Sequence, residues 1–160
     1  MNEVMENVKL LEPSCKNNLY EKAEVCEALF STSGFWRPDY KAGGLNPPHT
    51  HPRATEIVFV LDGELDVGFI STSNKLISKS IKNGEIFVFP KGLVHYQKNN
   101  GDKPASVLSA FDSQLPGTVS IAAALITSTP TVPDNVLAQA FQIDTTKVDD
   151  IKAKLAPKKT

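Results

Sequence analysis

Histidine, cysteine and tryptophan are scarce in this chain, with three, two and one among 160 residues. Two cysteines, Cys15 and Cys26, are too few to fix a redox compartment. Neither sign of charge dominates: the net charge is −1 and the pI about 6.3. No field exists to gather nucleic acid or an anionic membrane, and neither is expected as a partner. The basic residues near the C-terminus, Lys147, Lys152, Lys154, Lys158 and Lys159, read as solvated helix faces and a tail. No run reaches the ~20 apolar residues of a membrane helix. The first fifteen residues, MNEVMENVKLLEPSC, hold three glutamates and no apolar stretch, so they do not read as a signal peptide. No Asn-x-Ser/Thr sequon, internal repeat or low-complexity segment occurs.

What is present suits one globular domain. Hydrophobic residues make up 41% and charged residues 22%, and a chain of this length buries roughly two thirds of its unfolded surface. Residues 1–35 read as a segment of their own. Leu19, Ala23, Cys26 and Phe30 recur at helical steps, and Asn18 with Glu21 resembles a capping box. Cys26 is then a core residue of that helix; the alternative is a disulfide to Cys15.

From Trp36 the texture changes. Short apolar runs alternate with turn signals about every eight to twelve residues, the pattern of a sandwich or barrel. Strands are predicted over 56–61, 64–70, 75–82, 85–89, 93–97, 105–111 and 118–125. Asp62-Gly63 and Asn83-Gly84 read as hairpin turns, and Ser71–Asn74, Pro90–Gly92 and Asn99–Gly101 as further turns. Val58, Phe69, Phe87 and Phe89 fall where a barrel lining would lie, and Asp62, Glu64 and Asp66 where a solvated hairpin would. After Pro130 the reading returns to helix. One segment is capped by Asp134 and carries Val136, Leu137 and Phe141; another starts at Asp144–Thr146 and carries Val148, Ile151 and Leu155. The expected fold is all-β, a double-sheet jelly roll over 36–130, followed by C-terminal helices over 131–160.

The histidines occupy two places. His49 and His51 are two apart, so on a strand both face one side. Glu56 has the wrong parity for that face on a straight strand, but Pro52 intervenes, and a bend there can return it inward. His95 follows a Pro-x-Gly turn on another strand. Three imidazoles and a carboxylate suit a mid-series divalent metal with a coordination position left open. Ligand type alone does not choose the metal.

The spacing is more specific. Residues 43–63, GGLNPPHTHPRATEIVFVLDG, match G-x5-H-x-H-x4-E-x6-G at Gly43, His49, His51, Glu56 and Gly63. Residues 84–99, GEIFVFPKGLVHYQKN, match G-x5-P-x-G-x2-H-x3-N at Gly84, Pro90, Gly92, His95 and Asn99. These resemble the two cupin motifs as germins and germin-like proteins of plants carry them, and the likeness extends from about Arg37 to Leu155.

That resemblance implies a jelly-roll barrel binding manganese through His49, His51, Glu56 and His95. It implies a homo-oligomer, trimer or hexamer, joined by C-terminal helices, an apoplastic location and a small-molecule substrate. Superoxide dismutation is the leading expected activity. Oxalate oxidation and a non-catalytic storage or wall role are the rivals. In oxalate-oxidising germins two asparagines near the metal orient the substrate. Asn46 matches one of them, as a catalytic residue; Trp36 stands at the other, beside Pro38. A tryptophan cannot supply a small amide's paired donor and acceptor. Residues 1–35 match nothing in the family pattern.

Overall fold

The computed structural model describes residues 35–156. The expected N-terminal helix, with Cys15 and Cys26, lies outside the described residues. Ten strands are β1 (Phe35–Trp36), β2 (Asp39–Tyr40), β3 (Leu45–Thr50), β4 (Glu56–Asp62), β5 (Glu64–Ile70), β6 (Leu76–Lys82), β7 (Ile86–Phe89), β8 (His95–Lys98), β9 (Ala105–Phe111) and β10 (Val119–Ser120). They form two five-stranded antiparallel sheets, ordered β1-β9-β4-β7, with β2 also on β9, and β10-β3-β8-β5-β6. This is the expected jelly roll. Pro38 separates β1 from β2, as a residue without an N–H should, while its carbonyl still accepts from Val107 N–H at 3.1 Å.

The turn signals are real, but most do not close hairpins. Ser71–Asn74 does, joining β5 to β6, with Asn74 at φ +56°. Asp62-Gly63 and Asn83-Gly84 instead carry the chain from one sheet to the other, because β4 does not pair with β5, nor β6 with β7. A type I′ turn needs positive φ at both central residues, and Asp62 and Asn83 lack it. Gly63 meets two demands at once: φ is +80°, and an added Cβ would lie 2.8 Å from Ala105 Cα.

Alternation along the strands sets the interior. On β4, Glu56, Val58 and Val60 are buried while Ile57 and Phe59 face out. With Leu65, Val67, Ile81, Phe89, Ala105, Val107 and Tyr40 they fill the space between the sheets, with Phe69 and Phe87 packed against them. The buried residues His95, Gln97 and Asn99 form one polar row at two-residue steps. Asn99 does turn work: its Nδ2 donates to the carbonyls of Tyr40 and Lys103 at 3.1 and 2.7 Å, and its Oδ1 accepts from Gly101 N–H at 2.9 Å. In the acidic cluster, Asp66 accepts from Ser80 and Asn100, which hold its carboxyl below the usual range, and Glu64 lies 3.8 Å from Lys82.

The strand expected over 118–125 is a correction. Pairing stops at Ser120, and Ile121–Ile126 is a helix, α1. Three successive alanines, Ala122–Ala124, are strong helix formers, and periodicity alone does not separate a short apolar strand from a short helix. The two later helices, α2 (Asp134–Phe141) and α3 (Thr145–Leu155), fall where expected. Pro133 takes the α2 cap position, however, and the Asp134 carboxylate pairs with Lys152 of α3 rather than capping. Ile126, Leu137 and Val148 form a small second core among the three helices.

Candidate metal centre

β3 carries a bulge. Asn46 pairs with Gln97 and His49 with His95, so three residues on β3 span what two span on β8. The extra length is Pro47-Pro48, residues that donate no ladder bonds. His49 is thereby set inward opposite His95, their ring centroids 4.2 Å apart. His51 follows the end of β3, its ring edge-on to Phe111 at 4.8 Å. Glu56 opens β4 in the facing sheet, between Phe89 of β7 and Phe111 of β9. Its inward direction therefore comes from the chain crossing between sheets after Pro52-Arg53, not from a kink within one strand. The Pro90–Gly92 turn is tied to the first motif, because Gly92 N–H donates to the His51 carbonyl at 3.1 Å.

All four side chains are buried, 2–4% exposed, and one ligand atom from each lies within 4.8 Å of the others. His49, His51 and His95 direct Nδ1 at the carbonyls of Pro47, Gly117 and Leu93, at 2.8, 2.6 and 2.8 Å. A carbonyl only accepts, so Nδ1 carries the proton and Nε2 of each neutral ring presents a lone pair. Two of those Nε2 atoms lie 3.3 Å (His51) and 3.1 Å (His95) from Glu56 Oε2. Lone pairs facing a carboxylate repel unless a cation stands between them. A proton serves without metal; a divalent ion satisfies all four donors at once.

The electrostatics agree with that demand. Without metal, burial pushes the Glu56 carboxyl up, but hydrogen bonds from His51 and His95, whose Nε2 then carries the intervening proton, outweigh it and hold it down at about 2. Burial, reinforced by neighbouring His95, pushes His49 down to about 4, so its ring is neutral at physiological pH. The donor set is thus one anion with neutral imidazole beside it, a fit for a hard to borderline divalent metal.

Other polar residues close in around Glu56. Gln97 Nε2 is 3.5 Å from both carboxylate oxygens, and its buried Oε1 has no hydrogen-bond partner. Ser109, buried on β9, helps favour the Glu56 charge without a well-formed hydrogen bond. Tyr40 is buried too. Burial and the Glu56 charge push its phenol up, and a hydrogen bond with the Asn46 side chain opposes them. Asn46 thus sits beyond the β3 bulge from His49, next to Tyr40 and across from Gln97. The backbone of Trp36 pairs with Ser109. Sequence reading missed Tyr40 and Gln97. The two-residue step from His95 could have found Gln97; Tyr40 arrives only through tertiary packing.

The cupin family pattern matches residues 29–149, and so begins inside the 1–35 segment, where no match was expected. Germin-like protein subfamily 2 member 4 of Arabidopsis thaliana is 68% identical over 124 residues, covering 77% of this chain and 56% of the relative. The rhicadhesin receptor of Pisum sativum is 68% identical over 123 residues, covering 77% of this chain and 57% of its own length. The chain thus spans little more than half the length of these curated relatives. A recombinant oxalate oxidase in complex with glycolate superposes with a TM-score of 0.75 at 43% identity, covering 76% of this chain and 62% of that one. No helix among the described residues is long and apolar enough to cross a membrane. Two spaced motifs that fold into one buried His-His-Glu-His cluster, in a two-sheet barrel with these relatives, show that the chain belongs to the cupin family as a germin-like protein.

Proposed function

We propose that this protein binds one manganese ion through His49, His51, Glu56 and His95 and dismutates superoxide to dioxygen and hydrogen peroxide. The carrying observation is the convergence of imidazole Nε2 lone pairs on an anionic, buried carboxylate. The net reaction takes two superoxide ions and two protons to one dioxygen and one peroxide. Manganese held by these four residues would supply the electron exchange, since it can move between two oxidation states. The chain's residues hold and enclose it. Tyr40 stays protonated, a hydrogen-bond donor beside Glu56, because burial and the nearby anion both oppose its ionisation. Asn46, hydrogen-bonded to that phenol, is the residue the family resemblance assigns to orienting a small substrate. The protein acts in the apoplast as a homo-oligomer, trimer or hexamer, joined through its C-terminal helices; the family resemblance and the exposed apolar side chains of those helices support this.

Oxalate oxidation is the second reading, favoured by the similarity to a solved oxalate oxidase. Against it stands Trp36, where the resemblance calls for an asparagine: a dianion held by two carboxylates needs directed donors, whereas superoxide needs one open position. The test compares superoxide consumption with peroxide release from oxalate on one preparation of measured manganese content. Alanine at His95 should abolish both metal retention and the manganese-dependent rise in melting temperature. Robust peroxide from oxalate would overturn the dismutase reading. Full manganese occupancy with neither activity would favour the storage or wall role.

A further inference from the structure

Residues 112–118 form a strap between β9 and β10 that crosses the β3–β4 connection. It is fastened at both ends. At one, Thr55 N–H donates to Asp112 Oδ1 at 2.8 Å and Asp112 N–H donates to the Thr55 carbonyl at 3.4 Å. At the other, Arg53 N–H donates to the Pro116 carbonyl at 3.1 Å and Arg53 Nε–H to the Leu115 carbonyl at 2.5 Å. The guanidinium covers the next residue. A Cβ on Gly117 would lie 2.7 Å from Arg53 Nη2 and 2.9 Å from Cζ, and Gly117 has φ +67°. The carbonyl so held accepts from His51 Nδ1 at 2.6 Å.

The three histidines differ in this respect. His49 and His95 take their Nδ1 acceptors from Pro47 and Leu93, each only two residues back along the chain. His51 takes its acceptor from 66 residues away. Two tautomers are therefore fixed locally and one by a tertiary contact. If Gly117 moved away, His51 could turn, or place its proton on Nε2, where it would no longer present a lone pair to the centre.

We propose that Arg53 is a positioning residue for the metal centre, clamping the strap so that the Gly117 carbonyl fixes the tautomer and orientation of His51. The inference rests on the four-ligand reading of the site. Arg53 is exposed, so replacing it removes no core volume. The bland alternative is a surface tie that only adds stability.

Arg53→Met and Arg53→Lys separate the two when studied in the full chain reconstituted with manganese. Three quantities are read: manganese release to excess chelator, the paramagnetic resonance spectrum of bound Mn(II), and melting of the metal-free protein. Expected for Arg53→Met is about tenfold faster release, with a changed spectrum and nearly unchanged metal-free melting. Arg53→Lys keeps a donor for the Leu115 carbonyl and should fall between Arg53→Met and wild type; if Arg53→Met does not fold, Arg53→Lys carries the same readouts. Wild-type release and spectrum in a folded variant would overturn the proposal. So would lowered metal-free melting with an unchanged spectrum, which would mark Arg53 as a tie alone. A wild-type protein that takes up no manganese would overturn the four-ligand site, and this inference with it, before any variant is made.

Discussion

His95 lies face to face with Phe89, their ring centroids 4.4 Å apart and their planes 21° from parallel. Phe89 in turn touches Phe87 at 5.1 Å, and Phe87 touches Phe69 at 6.0 Å. An aromatic column thus runs from the core to a metal-facing ring, so the orientation of His95 is inherited from hydrophobic packing. Its Nδ1 bond to Leu93 fixes the tautomer; Phe89 fixes the plane.

Phe89→Leu should therefore do two things. It should cost about 1–2 kcal/mol of metal-free stability through lost ring contacts, and it should weaken manganese binding because His95 loses its stacked face. Urea unfolding and manganese titration of the same preparation check both. Unchanged affinity in a destabilised variant would show that the local carbonyl alone holds the ring.

Asn99 closes the second motif at the far end of the row that starts with His95. Of its three side-chain hydrogen bonds, one ties the 99–104 loop to Tyr40 of β2 and two, to Lys103 and Gly101, shape the loop itself. Asn99→Ala should lower stability by about 1–3 kcal/mol, the loss of one buried and two part-buried bonds, while manganese content stays at wild-type level. Loss of metal without loss of stability would contradict this division between motif residues that hold the loop and those that face the metal.

Much of this architecture was legible in the sequence, and the limits have physical causes. His49, His51, Glu56 and His95 were readable as one cluster because their spacing matches two motifs of a known family, whose barrel brings them together. The route of Glu56 was not: parity on a single strand said nothing of a chain that changes sheets. Asp62-Gly63 announced a reversal without naming the strand that would pair next, and its glycine answers to Ala105, forty-two residues on. Ile121–Ile126 read as strand because six apolar residues carry no period long enough to decide. Tyr40 and Gly117 reach the site only through tertiary contacts, which no local pattern encodes.

The C-terminal helices bear on assembly. Leu137 and Val148, on the helices expected to join subunits, are already buried with Ile126 inside the chain. Val136, Phe141, Ile151 and Leu155 remain 49%, 51%, 37% and 45% exposed. These four are the residues we propose a neighbouring subunit covers. Phe141→Lys with Ile151→Lys should shift the protein toward smaller species by light scattering, with little change in unfolding of the isolated subunit. A monodisperse monomer of the unaltered protein at micromolar concentration would contradict the proposal.

Acid should weaken the metal-free fold in two stages. His49 is held down at about 4 from an ordinary 6.5, so the unfolded chain binds the proton more readily. Its stabilising contribution is complete above about pH 6.5 and is lost as pH falls toward 4, on the order of 3 kcal/mol. Glu56, held down at about 2 from an ordinary 4.5, contributes fully above about pH 4.5 and loses that contribution as pH falls toward 2. The profile should be flat near neutrality, fall through the first window, and steepen where the second begins. His49→Gln should remove the first stage and leave the second. Manganese should hold the plateau to lower pH, until protons displace it from the imidazoles, since only unprotonated Nε2 can bind. Urea unfolding midpoints between about pH 3 and 8, with and without manganese, read all of this. A metal-free profile that stays level from neutrality down to pH 4 would mean that His49 is not held as a buried neutral ring.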